Sequence, residues 1–412
     1  MKYVIIGASA AGVNGAENLR RLDKTAEIIM ISEDSHIYSR CILHHYIGEI
    51  RNIKQLNFVS EDFFEKNNIN WIKNKKVIML DENNKILTLN DNSKITFDKL
   101  LISSGSSPFI PPIENLRGAE NVVGLKTLED CSAIIELGKK AKNIVVIGAG
   151  LIGMDAISGL LHNKEINANL SLIEMSNRLL PLQLDKISSK IYEEKLIENK
   201  VNLYLSSKVL KANLNNENLI ESLTLEGDLT IPCDLIVVAT GIKSNTDFLQ
   251  NTKVEFDRKG LIFNEKGETN IKDIYGAGDV SGRGPIWSVA VKEGIIATSN
   301  MVGIERVMDD FFVCKSTMNF FGIPTLSLGD QSLYENTEGI IIEISENENS
   351  YKKIAHKDGY IYGAIIQGDL EYTGVLTQLI RLDVDISKVK KSIFNIDYSD
   401  FFHLDANCEF QY

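Results

Sequence analysis

Lys2-Tyr3-Val4-Ile5-Ile6-Gly7-Ala8-Ser9-Ala10-Ala11-Gly12 decides the fold. The β-branched and aromatic run reads as a buried strand, the glycine as a tight turn, and the small residues after it as a helix start. A second apolar run, Ile28-Ile29-Met30-Ile31, leads to Glu33, twenty-one residues after Gly12. Strand, glycine turn, helix, strand and acid are the parts of a βαβ dinucleotide site. The glycines let the backbone approach a pyrophosphate, the helix N-terminus meets its charge, and the acid accepts hydrogen bonds from ribose hydroxyls. Ser9 stands where the middle glycine is expected, with Ala10 and Ala11 completing the loop.

The plan recurs over residues 142–174 with a complete loop, Gly148-Ala149-Gly150-Leu151-Ile152-Gly153, and Glu174 again twenty-one residues after the last glycine. One such motif is weak, because any tight strand-to-helix turn favours glycine; two, each with its strand and acid in place, are specific. β-Rich segments at 75–102 and 201–240 each end in a strand and a small-residue turn, Ser103-Ser104-Gly105 and Ala239-Thr240-Gly241. A third cluster, Ile274-Tyr275-Gly276-Ala277-Gly278-Asp279, returns the chain to the first domain, and a helix is expected over 287–302. The fold class is therefore α/β, one Rossmann-like domain interrupted by another. The expected limits are 1–108 with 240–305 for the outer domain, 109–239 for the inserted one, and 306–412 for a small α+β C-terminal domain.

The 412 residues, 44% hydrophobic and 24% charged, suit an ordinary globular protein, and no run of eighteen apolar residues suggests a membrane span. The chain opens directly into a strand without a signal region, so a soluble, cytoplasmic protein is expected. A net charge of −12 argues against nucleic acid. The lysine groups 352, 353, 357 and 388, 390, 391 are expected to be solvated faces. The five cysteines, 41, 131, 233, 314 and 408, show no C-x-x-C spacing and read as reduced thiols rather than a disulfide framework or metal site. His44 and His45 are adjacent, diverge by about 100° on a helix, and are assigned to packing or surface rather than a metal. The aromatic tail Phe401, Phe402, His403, Phe410 and Tyr412 is expected to pack on the body.

The order of these motifs resembles the pyridine nucleotide-disulfide oxidoreductase superfamily over about residues 1 to 305. The resemblance implies FAD at the N-terminal copy, with roles for Gly7, Ser9, Ala10, Ala11, Gly12, Glu33, Val77, Ser104, Gly105 and Asp279. It implies NAD(P)H at the inserted copy, with roles for Gly148, Gly150, Leu151, Ile152, Gly153, Glu174 and Gly241. Asp155 stands where relatives usually carry Glu. A carboxylate at Glu174 favours the free 2′-hydroxyl and repels a 2′-phosphate, so NADH is expected over NADPH. Arg178 is weak support for NADPH, because Asn177-Arg178-Leu179-Leu180-Pro181 matches a family helix start.

Disulfide reductases of this superfamily carry two closely spaced cysteines after the first acid. Tyr38-Ser39-Arg40-Cys41-Ile42-Leu43-His44-His45-Tyr46-Ile47-Gly48-Glu49 has one, and the C-terminal His-Pro of glutathione reductase-like enzymes is absent, so a dithiol mechanism is excluded. Two readings stay open. In the first, Cys41 aligns with the single cysteine of coenzyme A-disulfide reductases and NADH oxidases, which cycles through a mixed disulfide or sulfenic acid. Arg40 and the paired histidines would then lower its pKa. In the second, Tyr38-x-Arg40 resembles NADH:rubredoxin reductases and the FAD half of NADH-dependent nitrite reductases. There the arginine faces FAD, and Cys41 is a small buried side chain without redox duty. Trp287 would sit near the flavin or serve as an aromatic plug. Segments 321–329 and 358–369 resemble the small terminal domain of that second group, and no cysteine cluster is present to ligate an iron–sulfur module. The expected function is an FAD-dependent NADH oxidoreductase, monomer or homodimer, serving a small redox protein such as rubredoxin. The alternative is a single-cysteine enzyme reducing coenzyme A disulfide, a persulfide or oxygen through Cys41.

Overall fold

The computed structural model describes residues 1–308, 315–329, 337–347, 350–401, 403–404, 406 and 410–411. It divides into two compact units, one of Met1–Ala141, Gly159–Asn167 and Leu235–Val313, the other of Lys142–Ser158, Ala168–Asp234 and Cys314–Tyr412. The fold is α/β, as expected.

The first unit is built on a five-stranded sheet in the order Ile274–Gly276, Lys99–Ile102, Lys2–Ile6, Glu27–Ile31, Ile69–Ile72, paired in parallel throughout. Tyr3 and Ile5 feed one apolar core while Val4 and Ile6 feed another, the period of two that a strand imposes. With both faces covered, the strand reads as an unbroken apolar run. The helices Ala10–Leu22 and Trp287–Met301 pack together, held by the buried amide of Asn18. That amide donates to Ile295 O (3.1 Å), Thr298 Oγ1 (3.0 Å) and Ser299 Oγ (3.0 Å). The antiparallel strands Val77–Asp81, Ile86–Leu89 and Lys94–Thr96 supply much of the second core. Arg20 is buried and gives all its donors to backbone carbonyls, those of Asn67 (2.7 Å), Asp23 (3.1 Å), Lys24 (2.9 Å), Ala26 (2.7 Å) and Asn68 (3.0 Å).

The second unit carries the parallel strands Asn143–Ile147, Asn169–Ile173 and Asn202–Tyr204 and an antiparallel ribbon, Val209–Leu214, Ile220–Leu225 and Thr230–Pro232. Its C-terminal part is an antiparallel sheet in the order Lys315–Phe320, Ile323–Leu328, Tyr360–Gln367, Ser350–Lys357, Ile341–Asn347, with the helix Thr373–Arg381 following. Two expectations are corrected here. Residues 177–181 form a run of bends leading into a turn rather than a helix start. The helix is Lys186–Glu198, capped by Asp185, whose Oδ1 accepts the Ser188 N–H at 2.9 Å. Lys353 is not part of a solvated face: strand alternation turns it inward, 4% exposed, onto Asp185 at 3.1 Å.

Phe402, Tyr412, Cys314 and Cys408 lie outside the described residues. Among the described residues, no helix is long and apolar enough to cross a membrane.

Candidate functional site

In the first unit, Gly7 adopts φ +102, and a β-carbon there would lie 2.1 Å from the Ser103 carbonyl oxygen. A β-carbon on Gly12 would lie 1.9 Å from the Gly7 carbonyl oxygen. The turn is thus packed backbone on backbone against the end of the Lys99–Ile102 strand. Ser9 occupies the N-cap position in extended conformation, yet its hydroxyl makes no capping bond, and the first turn holds no acid. The helix N-terminus therefore presents N–H groups without a side-chain acceptor, the condition an anion fills.

Asp279 is brought to this loop by packing. Gly278 lies against Ala11, where a β-carbon would come within 3.2 Å of the Ala11 Cβ, and its N–H donates to Glu293 Oε2 at 2.7 Å. Asp279 Oδ2 accepts from Lys126 Nζ at 2.8 Å and Ser106 Oγ at 3.3 Å. Ser104 and Asn245 exchange two hydrogen bonds, 2.8 and 2.9 Å, and a β-carbon on Gly105 would meet nothing within 4 Å. Glu33 is exposed and pairs with Lys76 at 3.2 Å. Val77 is buried in the second core. Trp287 meets Phe58 edge to face, ring centroids 4.8 Å apart.

Arg40 spends its guanidinium within the chain, on Asp34 Oδ2 (2.8 Å), the Tyr38 hydroxyl (2.9 Å) and the Lys126 carbonyl (2.6 Å). The Tyr38 hydroxyl in turn donates to Asp34 Oδ1 at 2.6 Å. Asp34, Lys126 and Ser106 were not singled out from the sequence. Thr127 and Asp130 do form a legible capping box, but nothing local says that the lysine before it meets Asp279.

Cys41 is exposed, in the short turn Arg40–Ile42, so of the two readings left open the buried side chain of the second is not what is found. Burial, then His45 and His162, push His44 down to about 4, and burial, then Arg51 and His162, lower His45. Both histidines are therefore neutral near pH 7, and Arg40 is paired with Asp34 at 2.8 Å. Cys131 and Cys233 are buried, and burial pushes the Cys233 thiol up to about 12. Among the described residues, no group of three His, Cys, Asp or Glu side chains is placed to hold a metal ion.

In the second unit, Gly148 adopts φ +100, and a β-carbon on Gly150 would meet open space. Leu151 and Ile152 are half-buried and Gly153 is buried. Glu174 accepts the Ala149 N–H on Oε2 and the Ser176 N–H on Oε1, both at 2.8 Å. Arg178 is tied to the Leu184 (2.9 Å) and Pro181 (3.1 Å) carbonyls. Gly241, in the first unit, adopts φ +128 with open space where a β-carbon would point. Burial pushes the Asp155 carboxyl up to about 8.

Glu293 links this geometry to pH. Burial raises its carboxyl to about 7, partly offset by the Gly278 N–H and Arg283 and reinforced by Asp279. The folded state then holds this proton more tightly than the unfolded chain, so the group's contribution to stability falls as pH rises from about 4.5 to about 7 and is flat above. Relative to Glu293→Gln, the wild type is expected to lose roughly 3 kcal/mol across that interval, read from urea unfolding at a series of pH values. A pH-independent difference would show that Glu293 keeps an ordinary pKa.

A model described as "Pyridine nucleotide-disulphide oxidoreductase" matches residues 1–294, and one described as "Rubredoxin NAD+ reductase C-terminal domain" matches residues 315–383. The nitrite reductase [NAD(P)H] of Bacillus subtilis is 27% identical across 95% of this chain, which spans 48% of that protein's length. The NADH-rubredoxin oxidoreductase of Clostridium acetobutylicum is 28% identical over 96% of this chain and 97% of its own. The solved structure of a NAD-dependent persulfide reductase from A. fulgidus superposes with a TM-score of 0.81 at 26% identity, covering 92% of this chain and 76% of that one.

Proposed function

The chain belongs to the pyridine nucleotide-disulphide oxidoreductase family, and on that premise we propose an FAD-dependent NADH oxidoreductase whose electrons leave to a small redox protein such as a rubredoxin. The observation that carries this reading is the uncapped helix N-terminus at Ser9 with Asp279 fixed beside it by Lys126 and Ser106. Bound FAD supplies the exchange between a two-electron donor and a one-electron acceptor.

The chain's own residues do the holding. Backbone groups of Gly7, Ser9, Ala10, Ala11 and Gly12 receive the pyrophosphate, and Glu33, exposed and paired with an exposed lysine, is available to ribose hydroxyls. Asp279 accepts from the flavin's ribityl chain, Ser104 and Gly105 leave it room, and Val77 and Trp287 shape the apolar ends. Arg40 acts one step back, fixing the Lys126 backbone while the lysine side chain fixes Asp279. At the second loop, Gly148, Gly150, Leu151, Ile152 and Gly153 receive the NADH pyrophosphate. Glu174 repels a 2′-phosphate, and Arg178, engaged with two carbonyls, does not offset it, so NADH is preferred over NADPH. The match of residues 315–383 to the rubredoxin reductase C-terminal domain supports a rubredoxin-like acceptor.

The exposure of Cys41 favours one second reading, a single-cysteine reductase of coenzyme A disulfide or a persulfide. Cys41→Ser separates the two. NADH-to-rubredoxin turnover is expected to stay within about twofold of wild type, whereas a collapse would move the chemistry to the thiol. Anaerobic titration gives an independent answer: a flavin-only enzyme takes up two electrons, and a cysteine-coupled one about twice that.

A further inference from the structure

We propose that Tyr351 and Lys353, on the C-terminal sheet, are positioning residues for the pyridine nucleotide, acting through Asp185 on the segment that buttresses the second glycine loop. The inference rests on the assignment of NADH to that loop.

Residues 176–185 join Glu174 to the helix Lys186–Glu198 without regular structure. Their conformation is not one the segment would choose alone: Leu180 is fully buried with φ +50, a region costly for a branched side chain. It persists because both ends are anchored. At the glycine-loop end, the Leu180 N–H donates to the Ala149 carbonyl at 2.9 Å, while the Ala149 N–H donates to Glu174. The middle of the nucleotide loop is thereby held from both sides, once by the ribose acid and once by this segment.

The other anchor is the C-terminal sheet. Asp185 is 6% exposed, and its Oδ1 caps the helix through Ser188. Its Oδ2 accepts from the Tyr351 hydroxyl at 2.6 Å and from Lys353 Nζ at 3.1 Å. The Ser327 hydroxyl donates to the Gln183 carbonyl at 2.6 Å, and Gln367 Nε2 to the Ser188 carbonyl at 3.3 Å. Burial pushes the Asp185 carboxyl up, but Tyr351, Ser188 and Lys353 outweigh it and leave it below the usual range, so it is ionised and matched. A buried ion pair gains little stability over apolar packing, because two charges must be stripped of water. What it adds is direction: an apolar contact would hold the sheet as firmly and leave the segment free to slide.

The test uses the FAD-loaded, full-length protein with Tyr351→Phe and Lys353→Met. NAD+, titrated calorimetrically, is expected to bind about threefold more weakly to the first and about tenfold more weakly to the second, with KM for NADH rising in parallel. The kcat at saturating NADH, the bound FAD per chain and the flavin midpoint potential are expected to stay at wild-type values. Tyr351→Phe keeps the ring volume and carries the test if Lys353→Met does not fold. A lowered melting temperature with unchanged NAD+ affinity would show a purely structural junction and overturn the proposal. A wild-type protein that binds no NAD+ would overturn the nucleotide assignment itself, and the proposal with it.

Discussion

Gly12→Ala is expected to purify without flavin and to melt well below the wild type. The added methyl would lie 1.9 Å from the Gly7 carbonyl oxygen and 3.0 Å from Ser103 Oγ. The nearer atom is backbone at the tip of a strand whose register is fixed on both sides, so neither partner yields without moving the sheet. Overpacking typically costs about 1–3 kcal/mol and occasionally more, and the displaced turn is the one proposed to receive the pyrophosphate. Gly150→Ala is the control, because a β-carbon there meets nothing within 4 Å. It is expected to keep the fold and the flavin and to lose affinity only for NADH. Flavin absorbance per chain and thermal unfolding measure both variants; stoichiometric flavin in Gly12→Ala would show that the loop relaxes in a way the packing does not suggest.

Arg20→Met is expected to lower unfolding stability by roughly 4 kcal/mol, close to 1 for each of several stranded carbonyls. The guanidinium ties the end of the Ala10–Leu22 helix, the turn at 23–26 and the turn at 67–68 into one body. Methionine replaces the volume and none of the donors. Lysine is expected to recover little, since an ammonium offers three donors on a flexible stem where the site uses a planar fork. The urea midpoint reads the effect; a loss under about 1 kcal/mol would mean that water replaces the missing bonds.

The two glycine loops were legible because their geometry is local: a glycine turn, the helix after it and the acid ending the next strand all lie within one supersecondary unit. The place of Asp279, just past the strand Ile274–Gly276, was legible for the same reason. Its partners were not. Lys126 reaches Asp279 across 153 positions, and Asp34 reaches Arg40 only through the particular irregular path of residues 35–39, so no spacing announces either. Lys353 was misread because three lysines in six residues look like a charged surface. Only the pairing of Ser350–Lys357 with its neighbours decides which of them face inward. The exposure of Cys41 could not be read from residue type, because a cysteine is as often a core side chain as a reactive thiol and only the turn Arg40–Ile42 decides between them.

The sheet of the first unit also has a consequence for the order of events on the ribosome. Leu100 pairs with Ile274, so the strand that closes this sheet is made long after the four others. Until it emerges, the edge of Lys99–Ile102 is unpaired, and the nascent chain carries an open template for aberrant strand pairing. Residue 274 must return across the whole intervening segment, a non-local closure of the kind that folds slowly. Yield during synthesis therefore depends on how long that edge stays open, which added stability in the finished molecule does not shorten.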